Sequence, residues 1–326
     1  MLRDVRKAGV IVVLLFLSGC IHVDIPLLQP LGELHERTLE GEGKNKLLLM
    51  DITGFISERE RSGGIMEKPS MVAEVKEALQ KAEKDEDIVG VILRINSPGG
   101  TVTASDLILH ELLAFKVHRK IPLYACITGI GTSGGYYIAT AADEISAHPT
   151  AITGSIGVLA MRFNVEGLMS KIGVTEKTIK SGDKKDFLSP FRPSTPEEEK
   201  IIQNIINSLY QRFVNVVLAR PGGSLTKPEL EKLADGRIFT AEQATAARLI
   251  DRVGYLDDTV AAMKKKLNLK EAKVIAYYRP GSYRGTIYSG SAVESPPVVS
   301  LININADGLE LLSSTEFLYL WELGLK

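Results

Sequence analysis

The sequence predicts an α/β fold on a mostly parallel sheet, and two patterns lead to it. Short apolar, β-branched runs of strand length alternate with segments whose apolar residues recur at helical spacing. In the later half, threonine-led capping signals open further helices. The composition suits such a fold: 44% of the 326 residues are hydrophobic and 24% charged, which argues against a disordered or fibrous chain.

In chain order, Leu47 to Ile52 is an apolar run and reads as a buried strand. Ser57 to Pro69 is polar and contains glycine, hence a loop. From Met71 to Lys84, the residues Val72, Val75, Ala78, Leu79 and Ala82 repeat at helical spacing. Ile88 to Ile95 is β-branched and strand-like, and Asn96-Ser97-Pro98-Gly99-Gly100 is a turn signal. Leu107 to Val117 reads as helix and Pro122 to Ile127 as strand. Thr195 is the expected N-cap of a helix running to about Leu218, with Pro196 at its first position and Glu198 completing a capping box. Thr240 and Gln243 repeat that logic before Ala244 to Ile250, and residues 257–267 read as another helix. Beyond about 275 the chain becomes rich in Gly, Ser and Pro and ends in the apolar run Phe317 to Trp321; residues 280–326 read as an irregular extension, not a second core.

The N-terminus reads as a targeting segment. Arg3, Arg6 and Lys7 precede an apolar run from Gly9 to Leu17, followed by Leu17-Ser18-Gly19-Cys20. The run is shorter than the roughly 20 residues that span a bilayer but suits a signal-peptide core. Small residues before Cys20 resemble the lipobox of bacterial lipoproteins. That resemblance implies cleavage before Cys20, a lipidated thiol and an acyl anchor; the alternative is an ordinary signal peptide with an incidental cysteine. Either way the mature domain works outside the cytoplasm, in the cell envelope on the periplasmic side. Residues 21–44, with Pro26 and Pro30, read as a tether.

Charge and cysteine content exclude several functions. With 39 basic and 40 acidic side chains there is no electrostatic reason to bind nucleic acid. Two cysteines form neither a disulfide framework nor a zinc site, and no cofactor or metal is expected. Cys126, inside an apolar run, reads as a core residue.

The chemistry lies between residues 96 and 186. Ser133 sits among small residues in Gly131-Thr132-Ser133-Gly134-Gly135, at an expected strand-to-helix junction. Free N–H groups at such a helix start suit an oxyanion. A serine nucleophile needs a base. His22 and His35 fall in the tether, His110 and His118 read as solvated helix surface, and His148 precedes Pro149; none sits in a triad-like motif. A lysine is the other option if burial favours its neutral form. Lys180, Lys184 and Lys185 all lie in the segment Ile179 to Asp186.

Several segments together resemble one family, the signal peptide peptidases or protease IV, within the Clp protease/crotonase superfamily. They are Leu93 to Gly100, Thr132 to Ala139, Thr153-Gly154-Ser155-Ile156-Gly157-Val158, Lys180-Ser181-Gly182 through Asp186, and Asp235-Gly236-Arg237. They occur in family order and cover about residues 45–270, as in the short form with one catalytic domain per chain. The resemblance implies a spiral of repeated ββα units. It divides the chain into a signal peptide (1–19), a tether (20–44), a serine protease domain (45–275) and a C-terminal extension (276–326). It maps the nucleophile onto Ser133 and the general base onto Lys185, and the oxyanion donors onto the N–H groups of Gly134 and Gly100. Ser155 would orient the lysine amine. It also implies a ring-like homo-oligomer in which serine and lysine can come from adjacent subunits. The implied substrates are cleaved signal peptides and other extended apolar peptides. Ile130, Ile156, Val158, Leu159 and Met161 could line their groove.

Three alternatives differ in substrate or chemistry. A general envelope quality-control protease would share the mechanism. A crotonase-like acyl-CoA enzyme would need neither the serine–lysine pair nor an export signal. A non-catalytic lipoprotein scaffold would keep only the fold.

Overall fold

A computed structural model describes residues 32–63, 66–279, 286–287 and 317–321. The expectations for the signal peptide and for Cys20 lie outside the described residues.

The first elements are β1 (His35–Glu40), β2 (Lys46–Thr53), β3 (Arg61–Gly63), β4 (Met66–Lys68), α1 (Met71–Glu83), β5 (Ile88–Ser97), β6 (Gly99–Thr101) and α2 (Val102–Arg119). Next come β7 (Leu123–Thr132), α3 (Gly134–Ala139), β8 (Glu144–Ala147), β9 (Ile152–Gly154), β10 (Leu159–Ala160) and α4 (Glu166–Lys171). The chain continues through α5 (Pro196–Leu218), α6 (Lys227–Glu231), β11 (Ile238–Thr240), α7 (Ala241–Ala246), β12 (Arg252–Val253), α8 (Leu256–Lys266), β13 (Lys273–Tyr278) and β14 (Phe317–Leu320).

The main sheet runs β1-β13-β2-β5-β7-β8-β12, parallel except at its β1 edge. The expected α/β architecture is therefore observed. Its central strands are apolar throughout because both faces are covered, and the two-residue period sorts their side chains. Leu48, Met50, Leu93 and Ile95 join the core under α1 and α2, while Leu47, Leu49 and Ile92 join the core under α8. Cys126 is buried in that second core, as expected, and burial pushes its thiol up. A buried ion pair links the adjacent strands β2 and β5: Arg94 Nε donates to Asp51 Oδ1 at 2.6 Å.

Strand β7 is shared between two neighbours. Its first half, Tyr124 to Ile127, pairs with β8; its second, Ile130 to Thr132, pairs with β9. The split lets β9 diverge and brings Gly154 beside the end of β7. The capping boxes form as the sequence predicts. Thr195 Oγ1 accepts from the Glu198 N–H at 3.3 Å while Glu198 Oε2 accepts from the Thr195 N–H at 2.9 Å. Thr240 and Gln243 do the same.

Five segments differ from the sequence reading. The tether range 20–44 contains β1, an exposed polar edge strand with no apolar period to announce it. The boundary at 275 cuts β13, which lies inside the main sheet between β1 and β2. The loop 57–69 contains the β3–β4 hairpin, and α2 starts at Val102, earlier than its apolar spacing shows. The extension 280–326 is not wholly irregular: β14 forms a three-stranded sheet with β6 and β10, and Ile287 is buried in the second core.

Helix α3 is fully buried, and its Tyr136 hydroxyl donates to the Leu249 carbonyl at 2.7 Å. That carbonyl also accepts from Arg220 at 2.8 Å, so it stays paired if the phenol is lost. Tyr136→Phe should therefore lower stability by about 1 kcal/mol, the net worth of one buried hydrogen bond, as read from the midpoint of urea unfolding.

Candidate active site

Ser133 lies between the end of β7 and the start of α3. Its backbone, at φ 52° and ψ −115°, is in a region that side-chain-bearing residues avoid. Two hydrogen bonds hold it there. The Ser133 N–H donates to the Gly154 carbonyl and the Ser133 carbonyl accepts from the Tyr137 N–H, both at 2.8 Å. The strain is compensated by burial of the helix behind it, including Tyr137, whose hydroxyl donates to Asp106 at 2.7 Å. Burial, with Asp106 next, pushes the Tyr137 phenol up.

The turn after β5 supplies the opposite wall. Ser97 shapes it: its hydroxyl donates to the Gly54 carbonyl at 2.6 Å and accepts from the Gly99 N–H at 3.1 Å. Gly99 adopts φ 107°, which favours glycine. A Cβ on Gly99 would lie 2.9 Å from the Gly134 nitrogen, and one on Gly134 would lie 3.2 Å from the Gly100 nitrogen. The two expected oxyanion donors, Gly100 and Gly134, are thus neighbours beside Ser133.

Ser155 follows Gly154, the acceptor for the Ser133 amide, so it too is brought to the site. It sits at φ 53°, and its N–H donates to the Arg237 carbonyl at 2.8 Å. This gives Asp235-Gly236-Arg237 a physical role. Asp235 pairs with the Arg237 side chain at 2.5 Å, and the Arg237 backbone supports Ser155. A cavity of about 440 Å³ opens here, with Ser155, Val158, Leu159, Ile206, Asn207 and Tyr210 in its wall. Val158 and Leu159 match the expected groove residues. Ile156 is core, and Met161 lines a different cavity.

Lys185 departs from the expected arrangement. A general-base lysine calls for a pocket sealed from water, yet Lys185 is exposed. Its segment makes a tight turn, with the Lys185 N–H donating to the Gly182 carbonyl at 3.1 Å. The next residue anchors the turn. Arg192 donates to Asp186 Oδ1 at 2.8 Å and to Glu198 Oε1 at 2.6 Å, while Lys180 reaches Asp186 at 2.7 Å. Arg192, then Lys180, hold the Asp186 carboxyl well below the usual carboxylate range. Arg192 and the Thr195 N–H draw Glu198 down to about 2. Lys184 pairs with Glu197 instead. One chain therefore assembles Ser133, Gly100, Gly134 and Ser155, and leaves Lys185 at the surface on a clamped turn.

Among the described residues no histidine takes part in this arrangement. His110 and His118 are exposed, and His118 pairs with Glu83 at 2.5 Å. His148 packs on Tyr255 with ring centroids 5.1 Å apart, and burial lowers its pKa. Among the described residues no His/Cys/Asp/Glu cluster could hold a metal. Sequence reasoning missed Arg192, because an arginine six residues from two carboxylates carries no periodic signal. It also missed Ile56, whose N–H and carbonyl bracket β6 by bonding Gly99 and Thr101.

Similar chains occur among known proteins. The family model "Peptidase family S49" matches residues 116–270. A "Putative signal peptide peptidase SppA" of Enterococcus faecium is 37% identical over 247 residues, covering 76% of this chain and 71% of that protein. "Protease 4" of Salmonella typhi is 35% identical over 193 residues, 59% of this chain and 31% of that protein. The chloroplastic "Serine protease SPPA" of Arabidopsis thaliana is 32% identical over 256 residues, 76% of this chain and 37% of that protein. A solved membrane-bound stomatin-specific protease aligns with a TM-score of 0.40 at 16% identity, over 68% of this chain and 85% of that one.

The Arg192 clamp has a pH signature. Glu198 titrates at about 2 in the folded chain against an ordinary 4.5, and Asp186 is depressed as well. Their stabilisation is present above the ordinary carboxylate range and is lost as pH falls through 4.5 towards 2. The melting temperature should fall across that window. Arg192→Ala should lower it at neutral pH and flatten the acid fall, as calorimetry across a buffer series would show.

Proposed function

The chain belongs to peptidase family S49, and we propose that it is a membrane-anchored serine endopeptidase with a Ser133–Lys185 dyad. The observation that carries this reading is the strained Ser133 held beside the close approach of the Gly100 and Gly134 main chain. The proposed substrates are cleaved signal peptides and other apolar peptides outside the cytoplasm. Among the described residues no helix is long and apolar enough to cross a membrane; the proposed anchor is a lipidated Cys20.

The mechanism follows from the residue types. The Ser133 hydroxyl attacks the scissile carbonyl while a neutral Lys185 amine takes its proton. The N–H groups of Gly134 and Gly100 receive the developing oxyanion, where one donor is worth roughly 3 kcal/mol. Lys185 then returns its proton to the leaving amine, and water releases the acyl-enzyme.

An exposed lysine does not serve that role alone. Its segment supports completion of the site by a second copy in a ring-like homo-oligomer. Phe163, Leu168, Ile172, Val174, Ile179 and Phe191 are all exposed, Ile179 to 93%, and such a run of uncovered apolar side chains marks an interaction surface. Taking the amine out of water between subunits favours its neutral form. A general quality-control protease in the envelope would use the same dyad and differ in substrate only.

A fluorophosphonate probe followed by peptide mapping should label Ser133. Ser133→Ala and Lys185→Ala should each reduce kcat/KM by at least roughly a thousandfold with unchanged melting. Lys184→Ala should stay within roughly tenfold of wild type. A Lys185→Ala enzyme with near-normal turnover would refute the base assignment.

A further inference from the structure

Helix α3 has only six residues and opens on Gly134 and Gly135. So short a helix does not hold its own place, and its two glycines offer no side chain to anchor it. Its seat depends on residues further along. Tyr137 is the one whose backbone touches the nucleophile, because its N–H donates to the Ser133 carbonyl at 2.8 Å. The Tyr137 ring is fully buried and meets Phe213 of α5 edge-on, with centroids 4.9 Å apart. Apolar contact alone leaves such a ring free to tilt. Its hydroxyl supplies the direction, donating to Asp106 Oδ1 at 2.7 Å. The same oxygen accepts from Arg212 Nε at 2.9 Å and Nη2 at 2.5 Å.

Asp106 stands in the first turns of α2, the helix that starts just after Gly100. Thr101 caps that helix by accepting from the Ala104 N–H at 3.1 Å, and the Ser105 hydroxyl donates to the Thr101 carbonyl at 2.8 Å. A Cβ on Gly134 would lie 2.5 Å from Ser105 Oγ. Consecutive residues of α2 therefore meet α3 at two points, Ser105 at Gly134 and Asp106 at Tyr137. One helix continues from the Gly100 turn, and the other from Ser133. The bond between Asp106 and Tyr137 thus fixes one half of the candidate site against the other, and Arg212 braces it from α5. Arg212 and Asp106 are open to water, with side chains 54% and 32% exposed. Exposed ion pairs contribute little to stability, whereas a displacement of about 1 Å can cost on the order of a hundredfold in rate. Placement, more than stability, accounts for the arrangement.

We propose that Asp106 and Arg212 are positioning residues of the candidate active site. Acting through the Tyr137 hydroxyl, they hold the start of α3 against the start of α2 and keep Ser133 and Gly134 at their working separation from Gly100. This rests on the reading of Ser133 as the nucleophile given above. The backbone of Ser133 is strained, and strain persists only while its surroundings enforce it. Without the phenol's bond α3 can turn slightly about its axis. That motion carries the Ser133 carbonyl and Gly134 with it and leaves the core packed.

The test uses the full chain and two readouts: the rate at which a fluorophosphonate labels Ser133, and kcat and KM for an internally quenched apolar peptide. Tyr137→Phe removes one oxygen and keeps the ring. It should lower the labelling rate and kcat by at least roughly tenfold while KM stays within about twofold. Arg212→Ala, at an exposed site that does not threaten folding, should lower both rates by roughly three- to fivefold. Asp106→Ala should match Tyr137→Phe, and Asp106→Asn, which still offers the phenol an oxygen, should recover most of the loss. Ser146→Ala is the control for lost stability: it removes a buried hydroxyl that bonds Thr259 of α8 at 2.7 Å on the other face of the sheet. It should lower the melting temperature and leave labelling at the wild-type rate. The proposal falls if Tyr137→Phe and Arg212→Ala both label within about twofold of wild type, or if Ser146→Ala loses as much as they do. Wild-type protein that neither labels at Ser133 nor cleaves the peptide refutes the protease reading and the proposal with it. Wild-type protein that does both, with Tyr137→Phe its equal, refutes the proposal alone.

Discussion

Where β5 ends and α3 begins, Gly99, Gly100 and Gly134 bring two stretches of main chain closer than any side chain would permit. A Cβ on Gly100 would lie 1.9 Å from the Ile56 carbonyl oxygen, and one on Gly134 2.5 Å from Ser105 Oγ. The contact sets the geometry around it. It sets the Gly100 and Gly134 main chain beside Ser133, seats the buried helix α3 against the turn, and leaves Ser133 in a backbone conformation it would not choose alone. Burial of Tyr136 and Tyr137 and the Gly154 carbonyl stabilise that conformation. The site is rigid because its donors are main chain, fixed by the same packing that makes the core.

Much of this was legible in the sequence. The apolar runs of β2, β5 and β7 announce strands buried on both faces, and Thr195 with Glu198 marks a helix start that the structure reproduces. Ser133 was readable from its place among small residues at a strand-to-helix junction, whereas Gly134, Gly100 and Ser155 entered through the resemblance of their segments to the family. Periodicity reports only what a segment buries along itself. The polar strand β1 is held by edge pairing with β13, and five apolar residues at 317–321 do not say which strands they join. The Arg192 clamp was invisible for a related reason: its worth lies in two carboxylates brought together by folding, not in spacing.

The segment that carries Lys185 combines two properties that seldom coincide. Internally it is held by charge, with Arg192 tying Asp186 to the capping-box residue Glu198 at the head of α5. Externally it presents Ile172, Val174 and Ile179 to water. A merely loose loop would have no reason to be clamped, and a solvated one no reason to be apolar. A rigid apolar projection is what docking onto another surface requires, and such docking could seal the amine from water.

In the single chain the proposed dyad is interrupted in two independent ways. The nucleophile has almost no solvent access, while the base stands in open water. The second interruption has a physical remedy: a neighbouring copy seated on the apolar segment around Lys185 would take the amine out of water, which favours its neutral form.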